Sequence, residues 1–173
     1  MQDLLGRVTL PLTIERQMIH WFEPAEAPEQ LAPAHCPISL WEYAPRRLVY
    51  TFPDMGDGVK IGIHHEGATT DPTHVRRTTS PEEDETVRAV LHRLLPGAAG
   101  ALRESVVCLY TNTPDEHFIL DRHPAHPQVV LASPCSGHGF KFASAIGEIL
   151  ADLATGRVSG FDLAPFALSR FGG

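Results

Sequence analysis

Hydrophobic and polar residues alternate along residues 7–65, in segments rich in β-branched and aromatic side chains. Proline, glycine or aspartate separates these segments, which are RVTLPLTI, RQMIHWFE, PISLWEY, RLVYTF and VKIGIHH. A period of two is typical of strands, and strands that follow one another without intervening helices favour antiparallel pairing. The N-terminal part of the chain is therefore predicted to form an antiparallel sheet.

A helical pattern follows in SPEEDETVRAVLHRLLPG. Ser80 suits the N-cap position, Pro81 suits the first turn, and Glu83 can complete a capping box. Apolar residues recur at helical spacing and would form one face, made of Val87, Val90, Leu91, Leu94 and Leu95. The Pro96-Gly97 pair predicts the end of the helix.

Strands are predicted again at SVVCLYTNT and HFILD. The uninterrupted apolar run QVVLAS is typical of a strand buried on both faces, as in parallel sheets. A last helix is predicted from about Gly139 to Thr155, with Gly156 as its end. Its apolar side would carry Phe142, Ile146, Ile149, Leu150 and Leu153. Together these elements predict an α+β fold that divides into residues 1–105 and residues 106–173.

The charge of the chain narrows the choice of partners. The formal net charge is −7, and the 14 lysine and arginine residues are scattered without forming a basic stripe. This argues against nucleic acid and against anionic membrane surfaces. No apolar run reaches the roughly 20 residues of a membrane span, and the N-terminus lacks the basic start and long apolar core of a signal peptide. The sequence thus predicts a cytoplasmic protein that binds a small molecule.

The cysteines and histidines do not form a recognisable ligand pattern. Cys36, Cys108 and Cys135 are odd in number and widely spaced, which fits neither a disulfide framework nor a C-x-x-C clip. A metal site is the alternative for a cluster made of Asp115, Glu116, His117, Asp121, His123 and His126. The spacing of these residues matches no known ligand pattern, so no metal is predicted.

The stretch SPCSGHGFKF joins QVVLAS to the last helix. Such a junction directs backbone N–H groups and the positive end of the helix dipole beyond the end of the strand, which suits an anionic ligand. The alternative is that Gly137 and Gly139 only shape a tight turn and that Lys141 is solvated. The residues alone leave both interpretations open.

Two parts of the chain resemble the same family. The segment CLYTNTPDEHFILDRHPAHPQVVLASPCSGHGFKFASAIGEIL closely resembles the C-terminal part of monomeric sarcosine oxidases and N-methyltryptophan oxidases, flavoproteins of the D-amino-acid-oxidase superfamily. GVKIGIHHEG resembles the lysine-bearing strand of that family, and the similarity runs from about Val8 to Phe166. No G-x-G-x-x-G occurs in the chain, so the dinucleotide fingerprint of the family has no counterpart here.

The resemblance implies domains and a cofactor. Residues 1–105 would form the sheet of a substrate domain, and residues 106–173 would contact flavin and include the last strand and helix of a Rossmann-like domain. The cofactor would be FAD, attached through a thioether to Cys108; a lone strand cysteine is otherwise most often an inert core residue. The residues at the cofactor would be Cys108, Ser136, Gly137, His138, Gly139, Phe140 and Lys141.

The resemblance also implies catalytic roles. Lys60 would lie beneath the flavin, bridged by water, and stabilise superoxide formed from oxygen. Tyr50, His64 and Tyr110 would line the substrate cavity, and Lys141 would pair with the substrate carboxylate. Without the resemblance, a lysine that alternates with valine and isoleucine in a strand is expected to point to solvent.

The function that the resemblance implies is that of the C-terminal half of a flavin-dependent amine oxidase. Sarcosine or another N-methyl or secondary amino acid would transfer a hydride to FAD, and oxygen would then be reduced to peroxide. The alternative is a truncated or repurposed binding or interaction module without flavin. The expected partners are a small amine, oxygen, and either a chain that supplies the N-terminal half or another copy of this chain. The chain alone is expected to lack oxidase activity.

Overall fold

The computed structural model describes residues 8–172, and the chain divides into two compact units. The first unit is Glu15–Leu109, and the second combines Tyr110 and the residues after it with the described residues before Glu15. Both units contain β-strands and an α-helix, so the predicted α+β class is confirmed. Residues 1–7, which include Arg7 of the first predicted strand, and Gly173 lie outside the described residues.

Five strands form one sheet in the order β2-β3-β4-β1-β5. These are β1 Thr13–Phe22, β2 Ser39–Ala44, β3 Arg47–Phe52, β4 Val59–His64 and β5 Leu102–Asn112. The pairs β1–β4, β2–β3 and β3–β4 are antiparallel, as predicted. The first two predicted strands are one strand, β1, and the prediction is wrong over residues 8–12. Pro11 lies in that segment and has no N–H group to donate to a ladder.

Helix α1, Pro81–Leu94, packs on one face of this sheet. The predicted capping box is confirmed: the Ser80 hydroxyl accepts from the Glu83 N–H, and the Glu83 carboxylate accepts from the Ser80 N–H. Val87 and Leu91 are buried in a cluster whose members on the sheet are Phe22, Val49, Val59 and Ile61. The apolar side of α1 thereby determines which face of the sheet is covered.

The second unit contains a hairpin and a helix. Its elements are β6 Ile119–His123, β7 His126–Ser133 and α2 Ala143–Thr155, with a short 3₁₀ helix, Phe140–Phe142, directly before α2. The core of the unit contains Phe118, Leu120, Ile146 and Ile149. Gly156 ends α2 in the left-handed conformation, as predicted. Within residues 8–172, none of the helices has the length and apolar character that crossing a membrane requires.

The prediction that QVVLAS is buried on both faces is wrong for this chain. These residues belong to β7, which pairs antiparallel with β6. Leu131 and Ser133 are buried, whereas Val129 is 39% exposed. In an antiparallel hairpin with a helix on one side, burial alternates along the strand even when the sequence is uniformly apolar.

Replacing Ser80 by alanine removes the hydroxyl that accepts the Glu83 N–H. We expect the free energy of unfolding to fall by about 1 kcal/mol. Thr86→Ala is the matched control, because Thr86 is exposed in the middle of the same helix. Its free energy of unfolding should not fall, since alanine has a higher helix propensity than threonine. Urea unfolding followed by circular dichroism measures both variants. An unchanged midpoint for Ser80→Ala would contradict the capping role.

Candidate functional site

Strands β3 and β4 carry three of the predicted residues on one face. Directly paired residues lie on the same side of a sheet, and the pairs are Leu48 with His64, Tyr50 with Gly62, and Phe52 with Lys60. The residues between them point the other way, and Val49 and Ile61 are fully buried in the cluster that includes α1. We call the side that bears Tyr50, Lys60 and His64 the lysine face.

Lys60 lies between two aromatic rings on the lysine face. Its Nζ atom is 5.4 Å from the centroid of the Trp21 ring and 4.9 Å from that of Phe52. Both residues pair directly with Lys60 in neighbouring strands. Rings at these distances attract a cation, so the ammonium group is held over the sheet. Neither ring was predicted as part of the site, although the register of the β3–β4 hairpin could have identified Phe52.

The Tyr50 ring lies over Gly62. A Cβ atom on Gly62 would be 2.3 Å from the Tyr50 phenol oxygen, so any larger residue would displace the ring. Tyr50, Lys60 and His64 are each partly exposed. The structure thus brings them onto one accessible surface, while their catalytic roles stay predictions.

Cys108 lies on β5 in the same unit and is half-buried. Burial raises the pKa of the Cys108 thiol, and the positive charge of Lys60 acts in the opposite direction. Since the thiolate is the reactive form, the neighbouring ammonium group favours reactivity and burial restrains it.

The other predicted residues lie in the second unit, and several of them form the turn between β7 and α2. Ser136 is fully buried in a left-handed backbone conformation with φ of 46°. Its N–H donates to the Thr111 carbonyl at 2.9 Å, and its hydroxyl donates to the His117 carbonyl at 3.2 Å. The Tyr110 ring lies against Gly137, where a Cβ atom would be 2.4 Å from a ring carbon. The second predicted tyrosine is thus also seated on a glycine, which the sequence pattern did not reveal.

Gly139 is required by a close backbone approach. A Cβ atom at this position would be 1.7 Å from the Pro134 carbonyl oxygen. The turn leads directly into the 3₁₀ helix and α2, where the Phe142 N–H donates to the Gly139 carbonyl and the Ala143 N–H donates to the Phe140 carbonyl. Glycine therefore permits the tight reversal that presents the N-terminal end of the helix.

The remaining residues of the turn differ in exposure. The His138 Nε2 atom is 2.9 Å from the Glu116 carbonyl oxygen, so Nε2 carries the proton and donates. Phe140 is 96% exposed. Lys141 is exposed, and its Nζ atom lies 5.1 Å from the centroid of the Phe142 ring. Phe140 and Lys141 are therefore available to a ligand, and His138 is held by the backbone.

An ion pair that was not predicted stabilises the loop before β6. The Arg170 guanidinium lies 2.7 Å from an Asp115 carboxylate oxygen and holds the pKa of that carboxyl well below its usual range. Asp115 also accepts hydrogen bonds from the Thr113 hydroxyl at 2.9 Å and the His117 N–H at 3.2 Å. Asp115 thus has a structural partner, and residues 8–172 contain no group of three potential metal ligands.

A cavity of about 580 Å³ lies between α1 and the covered face of the sheet. Its apolar lining includes Met18, Ile63 and Val90. Ile63 alternates with the residues of the lysine face, so the cavity opens on the opposite side of β4. None of the residues predicted for the site contributes to it.

Gly139→Ala and Gly147→Ala are a matched pair of variants. Gly139 lies before α2, and Gly147 lies within it. The first places a methyl group against the Pro134 backbone, and we expect a loss of stability of about 3 kcal/mol. The second lies in α2 with no atom within 4 Å of the added Cβ, and we expect a gain of about 1 kcal/mol. Thermal unfolding compares the two variants. Shifts of the same sign would contradict the tight turn at Gly139.

The chain matches known sequences over most of its length. The family of FAD dependent oxidoreductases matches residues 1–153. Monomeric sarcosine oxidase from Streptomyces avermitilis is 40% identical over 156 residues, which are 88% of this chain and 41% of that protein. N-methyl-L-tryptophan oxidase from Salmonella typhi is 42% identical over 132 residues, which are 70% of this chain and 33% of that protein. The chain thus spans less than half the length of these relatives.

Solved structures share the fold. NikD, described as an unusual amino acid oxidase essential for nikkomycin biosynthesis, matches with a TM-score of 0.73 at 20% identity, covering 96% of this chain and 44% of that chain. Glycine oxidase from Geobacillus kaustophilus matches with a TM-score of 0.72 at 20% identity, covering 99% of this chain and 42% of that chain. Because the family match extends over residues 1–153, the chain belongs to the family of FAD dependent oxidoreductases.

Proposed function

We propose that the chain is the flavin- and substrate-facing part of an amine oxidase that uses FAD and acts on sarcosine or another N-methyl or secondary amino acid. The observation that carries the proposal is the lysine face, where Tyr50, Lys60 and His64 share one side of the sheet while α1 covers the other. The names of the similar oxidases, which refer to sarcosine and N-methyl-L-tryptophan, support this class of substrate.

The residues present fit the flavin end of FAD. Gly137 and Gly139 lie in the turn before α2, and a Cβ atom at either position would clash with its neighbours. The turn leads to the N-terminal end of the helix, which favours negative charge. Cys108 would supply the thioether, and the contacts would come from Ser136, Gly137, His138, Gly139, Phe140 and Lys141. When bound, FAD would accept a hydride from the amine and pass electrons to oxygen. The Gly-rich turn that grips a pyrophosphate is not in this sequence.

The role proposed for Lys60 is electrostatic. Its ammonium group is already held between the Trp21 and Phe52 rings. A positive charge fixed in advance stabilises the negative charge that develops on oxygen during its reduction, without reorganisation of solvent. Lys60 would therefore accelerate the oxygen step and not the amine step.

The role proposed for Lys141 is to bind substrate. An exposed ammonium group in the 3₁₀ helix directly before α2 can pair with a carboxylate, and a charge-assisted hydrogen bond orients that group. Tyr50, His64 and Tyr110 would complete the substrate cavity. Lys60 and Lys141 are the only lysines in the chain, so one substitution at either position removes one lysine charge and leaves the other in place.

A binding or interaction module without flavin is the second candidate. Under this alternative, the chain would not acquire flavin even when it is joined to the N-terminal region of a similar oxidase.

The test joins this chain to the N-terminal region of the Streptomyces avermitilis oxidase. Lys60→Met should slow reoxidation by oxygen about 100-fold and leave anaerobic reduction by sarcosine nearly unchanged. Lys141→Met, the matched variant, should raise the KM for sarcosine and leave reoxidation unchanged. Rapid-mixing absorbance measures both half-reactions, and the chain alone should produce no peroxide.

Equal slowing of both half-reactions by Lys60→Met would contradict the role of Lys60. A joined, folded protein that contains no flavin would favour the non-catalytic module. Peroxide production from sarcosine by the chain alone would show that the proposed division of the enzyme is wrong.

A further inference from the structure

The segment that follows β4 folds back onto β1. The Arg16 N–H donates to the Ala68 carbonyl at 2.9 Å, and Glu15 forms an isolated bridge with Thr69. At Gly67 a Cβ atom would be 1.9 Å from the Arg16 carbonyl oxygen, so this approach requires glycine. The returning segment therefore places the residues after His64 directly against Glu15.

Glu15 has an unusual position for a carboxylate, because only 8% of the residue is exposed. One of its oxygens accepts from the Gly67 N–H and from the Gln17 amide, both at 2.6 Å. The other oxygen lies 3.4 Å from Nδ1 of His65. Donors on both oxygens compensate for the loss of water and hold the carboxylate in one orientation.

His65 interacts with the Glu15 carboxylate and also contacts the ring of His64. Consecutive residues of a strand point to opposite faces, yet the two imidazole rings have centroids 4.2 Å apart with an interplanar angle of 64°. His65 has a left-handed backbone with φ of 57°, which turns its side chain out of the strand pattern. Such a conformation costs about 1 kcal/mol or more in a non-glycine residue, and it persists where surrounding contacts fix it.

We propose that Glu15 and His65 are a positioning pair for His64. The Nδ1–H of His65 donates a hydrogen bond to Glu15, which fixes the tautomer and plane of that ring, and the ring in turn fixes the imidazole of His64 on the lysine face. This rests on the proposed function insofar as His64 belongs to the substrate cavity. The pair itself is a property of the Glu15–Leu109 unit and does not require flavin.

The primary test is NMR spectroscopy of the isolated chain with labelled histidine, in which His64→Asn assigns the His64 signals. In the unmodified chain, cross-relaxation between the His64 and His65 ring protons is expected. His65→Asn keeps a donor for Glu15 and tolerates the left-handed backbone, but it removes the ring. The His64 ring signals should therefore shift and broaden.

Glu15→Gln keeps the volume of Glu15 and removes its charge, so it should also perturb the His64 signals. The matched control is His74→Asn. His74 has the same arrangement, with Nδ1 at 3.1 Å from Asp71, but it is exposed on a different segment. His74→Asn should leave the His64 signals unchanged.

Absence of cross-relaxation between the two rings in the unmodified chain would overturn the proposal, even if every variant failed to fold. Unchanged His64 signals in a folded His65→Asn or Glu15→Gln variant would do the same.

A second arm uses the flavin-loaded joined protein. His65→Asn is expected to raise the KM for sarcosine about tenfold with a smaller change in kcat, and His74→Asn should change neither. If the NMR signals respond and the kinetics do not, the positioning pair stands and the assignment of His64 to the substrate cavity is wrong. Failure of the NMR test overturns the pair and leaves the proposed function intact.

Discussion

The structure depends on the alternation of side chains across β3 and β4. Burial of an aliphatic side chain stabilises a fold by roughly 1.5–3 kcal/mol, and Val49 and Ile61 are fully buried on the side of the sheet that α1 covers. A shift of one residue in the register would expose them and bury Lys60 instead. The packing of an ordinary core thus fixes Tyr50, Lys60 and His64 on the other side.

Polar contacts at the start of α1 secure the same arrangement. His20 is fully buried on β1, and its Nε2 atom is 2.9 Å from Asp84 in the first turn of the helix. Burial lowers the pKa of His20, and the Asp84 carboxylate opposes that change. Arg16 on β1 also pairs with Glu83 at 2.9 Å. Helix and sheet are therefore joined by charge and hydrogen bonding as well as by apolar contacts.

Local signals in the sequence predicted much of this fold and fewer details of the site. The capping box at Ser80 was predictable because its partners are three residues apart, and the even spacing of Lys60 and His64 within one strand is a local signal of their shared face. Spacing does not reveal how the Tyr50 ring settles over Gly62, because that depends on pairing between strands. Nor does it reveal the left-handed backbone of His65, which depends on contacts with β1.

The most direct test of flavin attachment is the mass of the peptide that contains Cys108. The peptide is isolated after acid denaturation from the chain joined to the oxidase N-terminal region and supplied with FAD. A thioether predicts a peptide heavier by one flavin and a yellow precipitate, both lost in Cys108→Ser. Cys36, which is buried, and Cys135, which is exposed, are internal controls and should stay unmodified. Flavin released completely by acid, or attached at Cys36 or Cys135, would contradict the thioether at Cys108.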